Sequence, residues 1–237
     1  MSESTLSLEM PNAIKSLDPG KSVVLLSGGL DSTTLLYLLK KGEGKDVIAL
    51  GVDYGQRHSK ELDAATAIAS GLDIEYRIAD LHRVSFCLMG GSQMDLSVSV
   101  PKGHYADPLM QQTVVPNRNM ILLSLAIGLA ISRGRKEVAY AAQAGDHTIY
   151  PDCRPEFISC MEAAACLAWY ELVRLRAPFQ QMTKDDIVRL GHDLGVPWEL
   201  TYSCYEGGEI HCGTCGTCYE RREAFHLAGV PDPTKYA

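Results

Sequence analysis

Two adjacent glycines between an apolar run and a helical pattern constrain this chain most. The hexapeptide Ser27-Gly28-Gly29-Leu30-Asp31-Ser32 follows the apolar residues 23–26 and precedes the mostly apolar residues 33–39. A strand that ends in two glycines and opens into a helix lets the backbone approach an anion closely, and the free N–H groups of the first helical turn point at it. The hexapeptide therefore predicts a phosphate-binding turn between a strand and a helix.

The side chains of the hexapeptide indicate which kind of phosphate site this is. Ser27 and Ser32 add hydroxyl donors, and Asp31 can hold the Mg²⁺ that accompanies a nucleotide. A Walker A loop is excluded, because Gly20-Lys21-Ser22 precedes the strand and the position of its first glycine is Lys15. A plain glycine-rich corner between a strand and a helix is the structural alternative.

Hydrophobic periodicity and glycine or proline breaks predict alternating strands and helices along most of the chain. We expect strands near 22–26, 47–53, 74–78, 137–142 and 171–176, and helices near 31–41, 59–70, 118–133, 155–170 and, after the cap Thr183, 184–194. Strands separated by helices of this length predict an α/β fold with a doubly wound, mostly parallel sheet.

In such a sheet ligands bind beyond the carboxyl ends of the strands, so the loops that follow the strands should share one site. These loops are 27–32, 54–58 and 144–154. The long, weakly patterned segment 82–115 is typical of a lid or a binding segment. We expect a lead-in at 1–21, a nucleotide-binding domain at 22–197 and a metal-binding segment at 198–237 packed on that domain.

The composition excludes several classes of protein. The formal net charge of −7 argues against a broad nucleic-acid-binding surface. The most apolar segment, 120–131, is shorter than the ~18 residues that a membrane helix needs. The N-terminus lacks the apolar core of a secretory signal, so we expect a cytoplasmic protein. Its eight cysteines then favour a metal site over a disulfide framework.

Four of these cysteines form the second strong motif. Cys212-x-x-Cys215-x-x-Cys218, with Cys204 eight residues upstream, supplies four thiolates within a short segment. Tetrahedral Zn²⁺ is bound by such sets, and a site with four protein ligands is structural. A redox dithiol or a lone C-x-x-C turn is the alternative, and a redox pair needs only two cysteines.

With both motifs placed, the chain resembles the 7-cyano-7-deazaguanine synthases of the queuosine pathway, which belong to the ATP pyrophosphatase (PP-loop) superfamily. The resemblance extends from Val23 onward and rests on SGGLDSTT at 27–34, DYGQRHSKEL at 53–62, VPNRN at 115–119, YPDCRPEF at 150–157 and the cysteine motif. It implies a ligase that converts 7-carboxy-7-deazaguanine, ammonia and ATP into the nitrile through an adenylate and an amide. It also implies Mg²⁺, one structural Zn²⁺, a homodimer, and no stable binding of nucleic acid.

The resemblance also implies roles for individual residues. We expect Asp31 to hold Mg²⁺, Arg118 and Lys184 to be cationic partners of phosphates or substrate, and Asp152 or Asp146 to bind the guanine-like N–H edge. Surface, capping or turn roles are the alternatives for all of these residues except Asp31. The residues expected to bind ATP are Leu26, Ser27, Gly28, Gly29, Leu30, Asp31, Ser32, Thr33, Thr34, Leu35, Leu36, Tyr54, Gln56 and Arg57.

Two loops depart from the pattern of this family. Asn117 stands where many members have glycine, and asparagine also tolerates a left-handed backbone. Residues 142–149 replace a more acidic segment that should face the substrate. Three alternatives therefore stay open: a ligase that stops at 7-amido-7-deazaguanine or uses another carboxylate, a tRNA-thiolating PP-loop enzyme, and a non-catalytic module that binds zinc and nucleotide.

Overall fold

A computed structural model of the chain describes residues 20–104 and 108–237. The first nineteen residues of the expected lead-in lie outside the described residues. The strands are β1 (Lys21–Leu25), β2 (Asp46–Asp53), β3 (Glu75–Asp80), β4 (Glu137–Ala139) and β5 (Arg174–Arg176). The α-helices are α1 (Leu30–Tyr37), α2 (Lys60–Gly71), α3 (Gly91–Met94), α4 (Arg118–Ser132), α5 (Pro155–Leu167), α6 (Lys184–Asp193) and α7 (Gly216–Ala228).

The five strands form one parallel sheet in the order β3-β2-β1-β4-β5. From β1 the chain first builds outward through β2 and β3, and then returns to add β4 and β5 on the other side. The strand order therefore reverses between β1 and β4, and a crevice opens there at the carboxyl ends of the strands. The predicted doubly wound parallel sheet is confirmed.

Helices cover both faces of this sheet, because the central strands are apolar on both sides. On one face Val23 and Ile48 pack among the helices α4 and α5. On the other face Val24 and Ala49 pack with side chains of α1, α2, α6 and α7. Two apolar layers therefore hold the carboxyl edge of the sheet in place.

The predicted helices and strands are confirmed, with differences at their ends. The helix after the phosphate turn continues through one π-helical turn, Leu38–Gly42, and α5 ends at Leu167 rather than at residue 170. β4 ends at Ala139 because its partner β5 is only three residues long, although the N–H of Tyr140 still donates to Arg176 O at 3.0 Å.

The C-terminal segment packs on the sheet domain, because Phe225 of α7 lies in the same apolar layer as Val24 of β1. Contacts inside the segment hold α7 against the residues that precede the cysteines. Trp198 and Phe225 pack edge to face with ring centroids 5.3 Å apart. Arg221, which is 1% exposed, donates to Thr201 Oγ1 at 2.8 Å and to Trp198 O at 3.2 Å. These contacts fix the start of α7 at the edge of the crevice. In the part of the chain that the structure describes, no helix combines the length and the apolar character that crossing a membrane requires.

Candidate functional site

A cavity of about 240 Å³ lies at the carboxyl ends of β1, β2 and β4. Three parts of the chain that are distant in sequence form its walls: the loops after the strands, the start of α4, and the segment that contains the cysteines. Its polar lining residues include Ser27, Asp31, Ser32, Tyr54, His58, Glu61, Gln93, Arg118, Asp146, Tyr150, Lys184, Tyr202, Tyr205 and Glu220.

The phosphate turn is held in shape by its own hydroxyls. The N–H of Ser27 donates to Ser32 Oγ at 3.2 Å, and the two hydroxyl oxygens lie 3.0 Å apart. Gly28 has φ +86°, and a Cβ there would lie 2.2 Å from the carbonyl oxygen of Glu61 on α2. Only glycine fits this close approach, which leaves Gly29 and the first turn of α1 facing the cavity.

Asp31, Lys184 and Glu220 meet beside this turn, and we call them the lysine cluster. Lys184 Nζ lies 2.6 Å from Asp31 Oδ2 and 3.2 Å from Glu220 Oε2. Burial alone would lower the pKa of Lys184, but Asp31, Glu220 and Asp146 outweigh burial and raise that pKa above its ordinary value. Burial raises the pKa of Glu220 to about 7 despite the nearby ammonium group. The lysine is therefore a fixed positive charge at the phosphate turn.

Arg118 begins α4 and faces the same cavity among aromatic side chains. Its guanidinium lies 5.9 Å from the ring centroid of Tyr150. The hydroxyl of Tyr150 lies 2.8 Å from Thr113 Oγ1 and 3.1 Å from the hydroxyl of Tyr205. Burial raises the pKa of Tyr54, which lies near Arg118, to about 12. This wall combines flat aromatic surfaces with one fixed cation, which suits a planar, anionic heterocycle.

His58, Glu61 and Gln93 form another wall of the cavity, which we call the glutamine wall. His58 Nε2 and Glu61 Oε2 lie 3.4 Å apart. Burial lowers the pKa of His58 to about 3 and raises the pKa of Glu61 to about 8. Near neutral pH this wall is therefore polar but largely uncharged.

Several of the residues expected to bind ATP or substrate lie outside the cavity lining. Gln56 is buried, accepts from the N–H of Tyr54 at 2.9 Å and donates to Glu61 Oε1 at 3.2 Å, so it shapes the loop after β2. Arg57 donates to the carbonyl oxygens of Asp95 and Val98. The expected residues that do not line the cavity are Gly28, Thr33, Thr34, Leu35, Leu36, Gln56 and Arg57.

The two candidate carboxylates for the guanine-like edge are placed differently. Asp146 lines the cavity, and its Oδ1 accepts from Gln143 Nε2 at 3.2 Å. Asp152 is absent from the lining, and its Oδ2 accepts from the N–H of Asn119 at 2.9 Å, in the first turn of α4. Asp152 therefore holds the helix that begins with Arg118.

The two divergent loops have ordered roles. Asn117 has φ +59°, so the left-handed turn expected of it is present. Gln143 Oε1 accepts from the N–H of Gly145 at 2.7 Å, and Gln143 Nε2 lies 3.5 Å from Glu220 Oε1. The loop of residues 142–149 thus connects Asp146 to the lysine cluster.

The four cysteines of the C-terminal motif converge. The Sγ atoms of Cys204, Cys212, Cys215 and Cys218 all lie within 4.8 Å of one another. Backbone N–H groups point at the sulfurs: Cys212 N donates to Cys204 Sγ, and Cys215 N to Cys212 Sγ, both at 3.3 Å. Four sulfurs around Zn²⁺, with Zn–S bonds of about 2.3 Å, lie roughly 3.8 Å apart, so this donor set fits a tetrahedral, soft-ligand metal site.

The polar side chains of the cavity lining that sequence reasoning missed include Glu61, Gln93, Tyr205 and Glu220. Glu61 lies within the DYGQRHSKEL stretch but in the first turn of α2, where a carboxylate is ordinary. Tyr205 and Glu220 are close in sequence to cysteines of the metal motif. The signal for Gln93 is the double glycine that precedes it in a segment without clear periodicity.

Comparison with known proteins gives consistent results. A family model described as "Queuosine biosynthesis protein QueC" matches residues 21–229. A curated 7-cyano-7-deazaguanine synthase from Caldicellulosiruptor bescii is 51% identical over 91% of this chain and 97% of its own length. One from Archaeoglobus fulgidus is 51% identical over 90% of this chain and 89% of its own length.

The solved structures give a likeness of fold alone. The NMN synthetase of Francisella tularensis superposes with a TM-score of 0.51 at 15% identity, over 90% of this chain and 78% of that one. The fold is therefore shared beyond the near relatives.

Proposed function

The chain belongs to the family of the queuosine biosynthesis protein QueC, and we propose that its cavity is the active site for making 7-cyano-7-deazaguanine. The activity is that of an ATP-dependent carbon–nitrogen ligase acting on 7-carboxy-7-deazaguanine and ammonia. The observation that carries the assignment of the site is the lysine cluster beside the phosphate turn, because it combines a fixed cation with carboxylates where ATP must be cleaved.

The reaction needs two activations of a poor electrophile. The substrate carboxylate attacks the α-phosphorus of ATP, pyrophosphate leaves, and an acyl adenylate forms. Ammonia adds to the acyl carbon, and the bond between this carbon and the oxygen of AMP breaks as AMP leaves. Loss of a proton then gives the amide. The amide oxygen then attacks the α-phosphorus of a second ATP, pyrophosphate leaves, and one N–H proton is lost to give an O-adenylated imidate. Cleavage of its C–O bond releases AMP, and loss of the second N–H proton gives the nitrile. One nitrile therefore requires two AMP and two pyrophosphate.

The cavity residues supply positions and charges for these steps rather than covalent chemistry. We propose that Ser27, Ser32 and the N–H groups of the turn bind the pyrophosphate portion of ATP. Lys184 neutralises charge that develops on the leaving pyrophosphate. Arg118 holds the carboxylate of the substrate towards the α-phosphate, and the tyrosines around it cover the base.

We propose that Asp146, rather than Asp152, accepts from the guanine-like N–H edge. This assignment rests on the place of Asp146 in the cavity lining, to which Asp152 does not contribute. A carboxylate accepts two adjacent N–H donors well.

Two metal ions belong to this proposal. The four converging thiols fit Zn²⁺, which would hold the C-terminal segment, and with it Glu220, against the sheet domain. Asp31 Oδ1 is buried without a hydrogen-bond partner among the described residues, as a ligand for Mg²⁺ would be. Mg²⁺ bound there would neutralise phosphate charge.

The remaining expectations concern the surroundings of the enzyme. We propose that it works in the cytoplasm, where thiols stay reduced, as a homodimer, and without stable binding of nucleic acid. The formal net charge of −7 supports the last of these. The division at residue 197 into a nucleotide-binding domain and a zinc segment belongs to the same proposal.

The test is an incubation of purified protein with 7-carboxy-7-deazaguanine, ammonium, MgATP and zinc, followed by mass spectrometry of the bases and nucleotides. We expect the nitrile with about two AMP per product, from the two adenylations. The amide with one AMP would reassign the protein as an amide-forming ligase. An untouched base without AMP, from folded protein, would overturn the proposal.

A further inference from the structure

Gln93 has a buried amide group that the reaction scheme above does not use. Its side chain is 0% exposed, and both Oε1 and Nε2 lack a hydrogen-bond partner among the described residues. A buried donor or acceptor left unpaired is costly, because it loses its hydrogen bonds to water and gains none, so most buried polar atoms have a partner. Because the same side chain lines the cavity, a ligand in the cavity can satisfy both atoms.

The backbone around Gln93 is built to hold it in this place. Gly91 has φ +66°, and a Cβ there would lie 2.6 Å from the carbonyl oxygen of Val114. The carbonyl oxygen of Gln93 accepts from the N–H of Arg57 at 3.0 Å. The short helix α3 is thus fixed between the loop after β2 and residues 112–114, with its glutamine against the cavity.

The neighbouring groups indicate what kind of ligand the amide meets. Glu61 and His58, which line the same cavity, are largely uncharged near neutral pH, and apolar side chains such as Val52 and Leu62 line it too. Arg118 acts electrostatically on His58 and Glu61. The side chains of the glutamine wall themselves offer no charge to a phosphate or a bare cation. A flat, neutral heterocycle with a donor and an acceptor side by side fits both the amide and its surroundings.

We propose that Gln93 binds the donor–acceptor edge of a purine-type base in this cavity. This inference rests on the proposed function, which supplies two such bases: the lactam edge of the 7-deazaguanine and the amino–imine edge of adenine. A side-chain amide forms two parallel hydrogen bonds with either edge, as glutamine does with adenine. Gln93 is accordingly a residue that determines affinity and specificity for one of the two substrates.

The test compares Gln93→Met with the wild-type enzyme. Methionine keeps the volume and removes both polar atoms, so a ligand that pairs with the amide loses two hydrogen bonds. We expect KM for one substrate, 7-carboxy-7-deazaguanine or ATP, to rise about 10- to 100-fold. KM for the other substrate and for ammonium should stay near the wild-type value. The substrate whose KM rises identifies the base.

A second measurement separates this role from a structural one. Since Gln93→Met replaces unpaired polar atoms by apolar ones, the melting temperature of the free protein should be unchanged or higher. Ser92→Ala is the matched control, because Ser92 is also buried with an unpartnered hydroxyl but does not line the cavity. It should leave all three KM values unchanged.

The inference is overturned if Gln93→Met changes no KM value. It is also overturned if the variant has a lower melting temperature and the KM values of all three substrates rise by similar factors. Failure of the proposed function gives a different result. In that case the wild-type protein forms no nitrile and no AMP from this base, whichever residue stands at position 93.

Discussion

The lysine cluster and the glutamine wall line the same cavity but differ in charge: the first contains an ion pair, and the second contains largely neutral groups. In the lysine cluster, Lys184 lies 2.6 Å from Asp31 and 3.2 Å from Glu220, so opposite charges neutralise one another inside the protein. In the glutamine wall, both amide atoms of Gln93 are buried and unpaired, and the neighbouring His58 and Glu61 lose their charges to burial.

This difference indicates how one cavity can bind two kinds of ligand. Lys184 keeps its charge when buried because carboxylates face it, and these groups can exchange partners with phosphates and Mg²⁺ during a reaction. Neutral groups without partners gain hydrogen bonds only when a base arrives. We therefore infer that the lysine cluster takes part in the cleavage of ATP and that the glutamine wall recognises a purine-type base.

Removing the metal from the four cysteines should have the largest effect, because it acts on the lysine cluster through α7. Glu220 lies two residues after Cys218, whereas His58, Glu61 and Gln93 come from α3 and the region around the start of α2. Structural zinc contributes on the order of 10 kcal/mol to folding in small zinc domains. We expect chelation to reduce AMP formation by more than about 10³-fold, with recovery when zinc is restored.

The control for this experiment is Cys160→Ser, which changes an exposed cysteine outside the cluster. It should keep the zinc content and the activity of the wild type. Cys215→Ser should lose both. A metal-free protein that still turns over ATP would show that α7 keeps its place without the cluster, and would contradict the link to Glu220.

Lys184→Met breaks the lysine cluster directly and is expected to have the next largest effect. The change removes the fixed cation and leaves Asp31 and Glu220 facing each other without compensation. Loss of one such group from a reacting centre typically costs about 10²–10³-fold in kcat. The measurement is single-turnover AMP formation at saturating MgATP.

Lys136→Met provides a matched comparison, since Lys136 is also paired with a glutamate but away from the cavity. It should keep full activity. Equal losses in the two variants would mean that the ion pair of Lys184 matters for stability and not for chemistry.

The lysine cluster and the glutamine wall also differ in how far the sequence predicted them. The phosphate turn and the four cysteines were predictable because each motif lies within fifteen consecutive residues, so spacing alone fixes which atoms converge. Asp31 was proposed from the phosphate turn, and Lys184 was proposed separately as a cationic partner of phosphates or substrate. Their contact was not, because it depends on how α6 packs against α1 in the folded chain.

The glutamine wall was beyond the reach of the sequence for a physical reason. Gln93 lies in no motif. Its proposed role depends on the lack of a hydrogen-bond partner for its amide among the described residues, which only the folded structure shows. Gln56 and Arg57 show the converse, since polar residues in a conspicuous loop pair instead with Glu61 and with the backbone of Asp95. Periodicity predicted the sheet and the helices well, because it reports burial and not the contacts of single polar atoms.

Glu61→Gln tests whether the glutamine wall is uncharged, through the pH dependence of the free energy of unfolding. Burial raises the pKa of Glu61 to about 8, whereas the pKa of a glutamate in the unfolded chain is about 4.3. The folded protein therefore binds the proton more tightly, and the contribution to stability is present at low pH and lost as the pH rises through about 8. Between about pH 5 and 8 the free energy of unfolding should fall by about 1.4 kcal/mol per pH unit relative to Glu61→Gln.

Urea unfolding of both proteins across this range measures the difference. The exposed Glu209→Gln is the control and should keep the slope of the wild type. Parallel curves for the wild type and Glu61→Gln would mean that Glu61 stays ionised in the folded protein and that the glutamine wall carries charge.

Asp152→Asn should have the smallest effect, and it separates recognition of the base from support of the helix that carries Arg118. The carboxylate of Asp152 accepts from the N–H of Asn119 in the first turn of α4, so the asparagine weakens a capping interaction worth about 1 kcal/mol. We expect a slightly lower melting temperature and a KM for 7-carboxy-7-deazaguanine within about threefold of the wild type. Asp146→Asn, which changes the carboxylate that lines the cavity, should instead raise this KM about tenfold. Its melting temperature should also fall slightly, because this carboxylate accepts from Gln143. If the two variants exchanged these results, Asp152 would be the residue that binds the base, and α4 would have to turn its first residues towards the ligand when substrate enters.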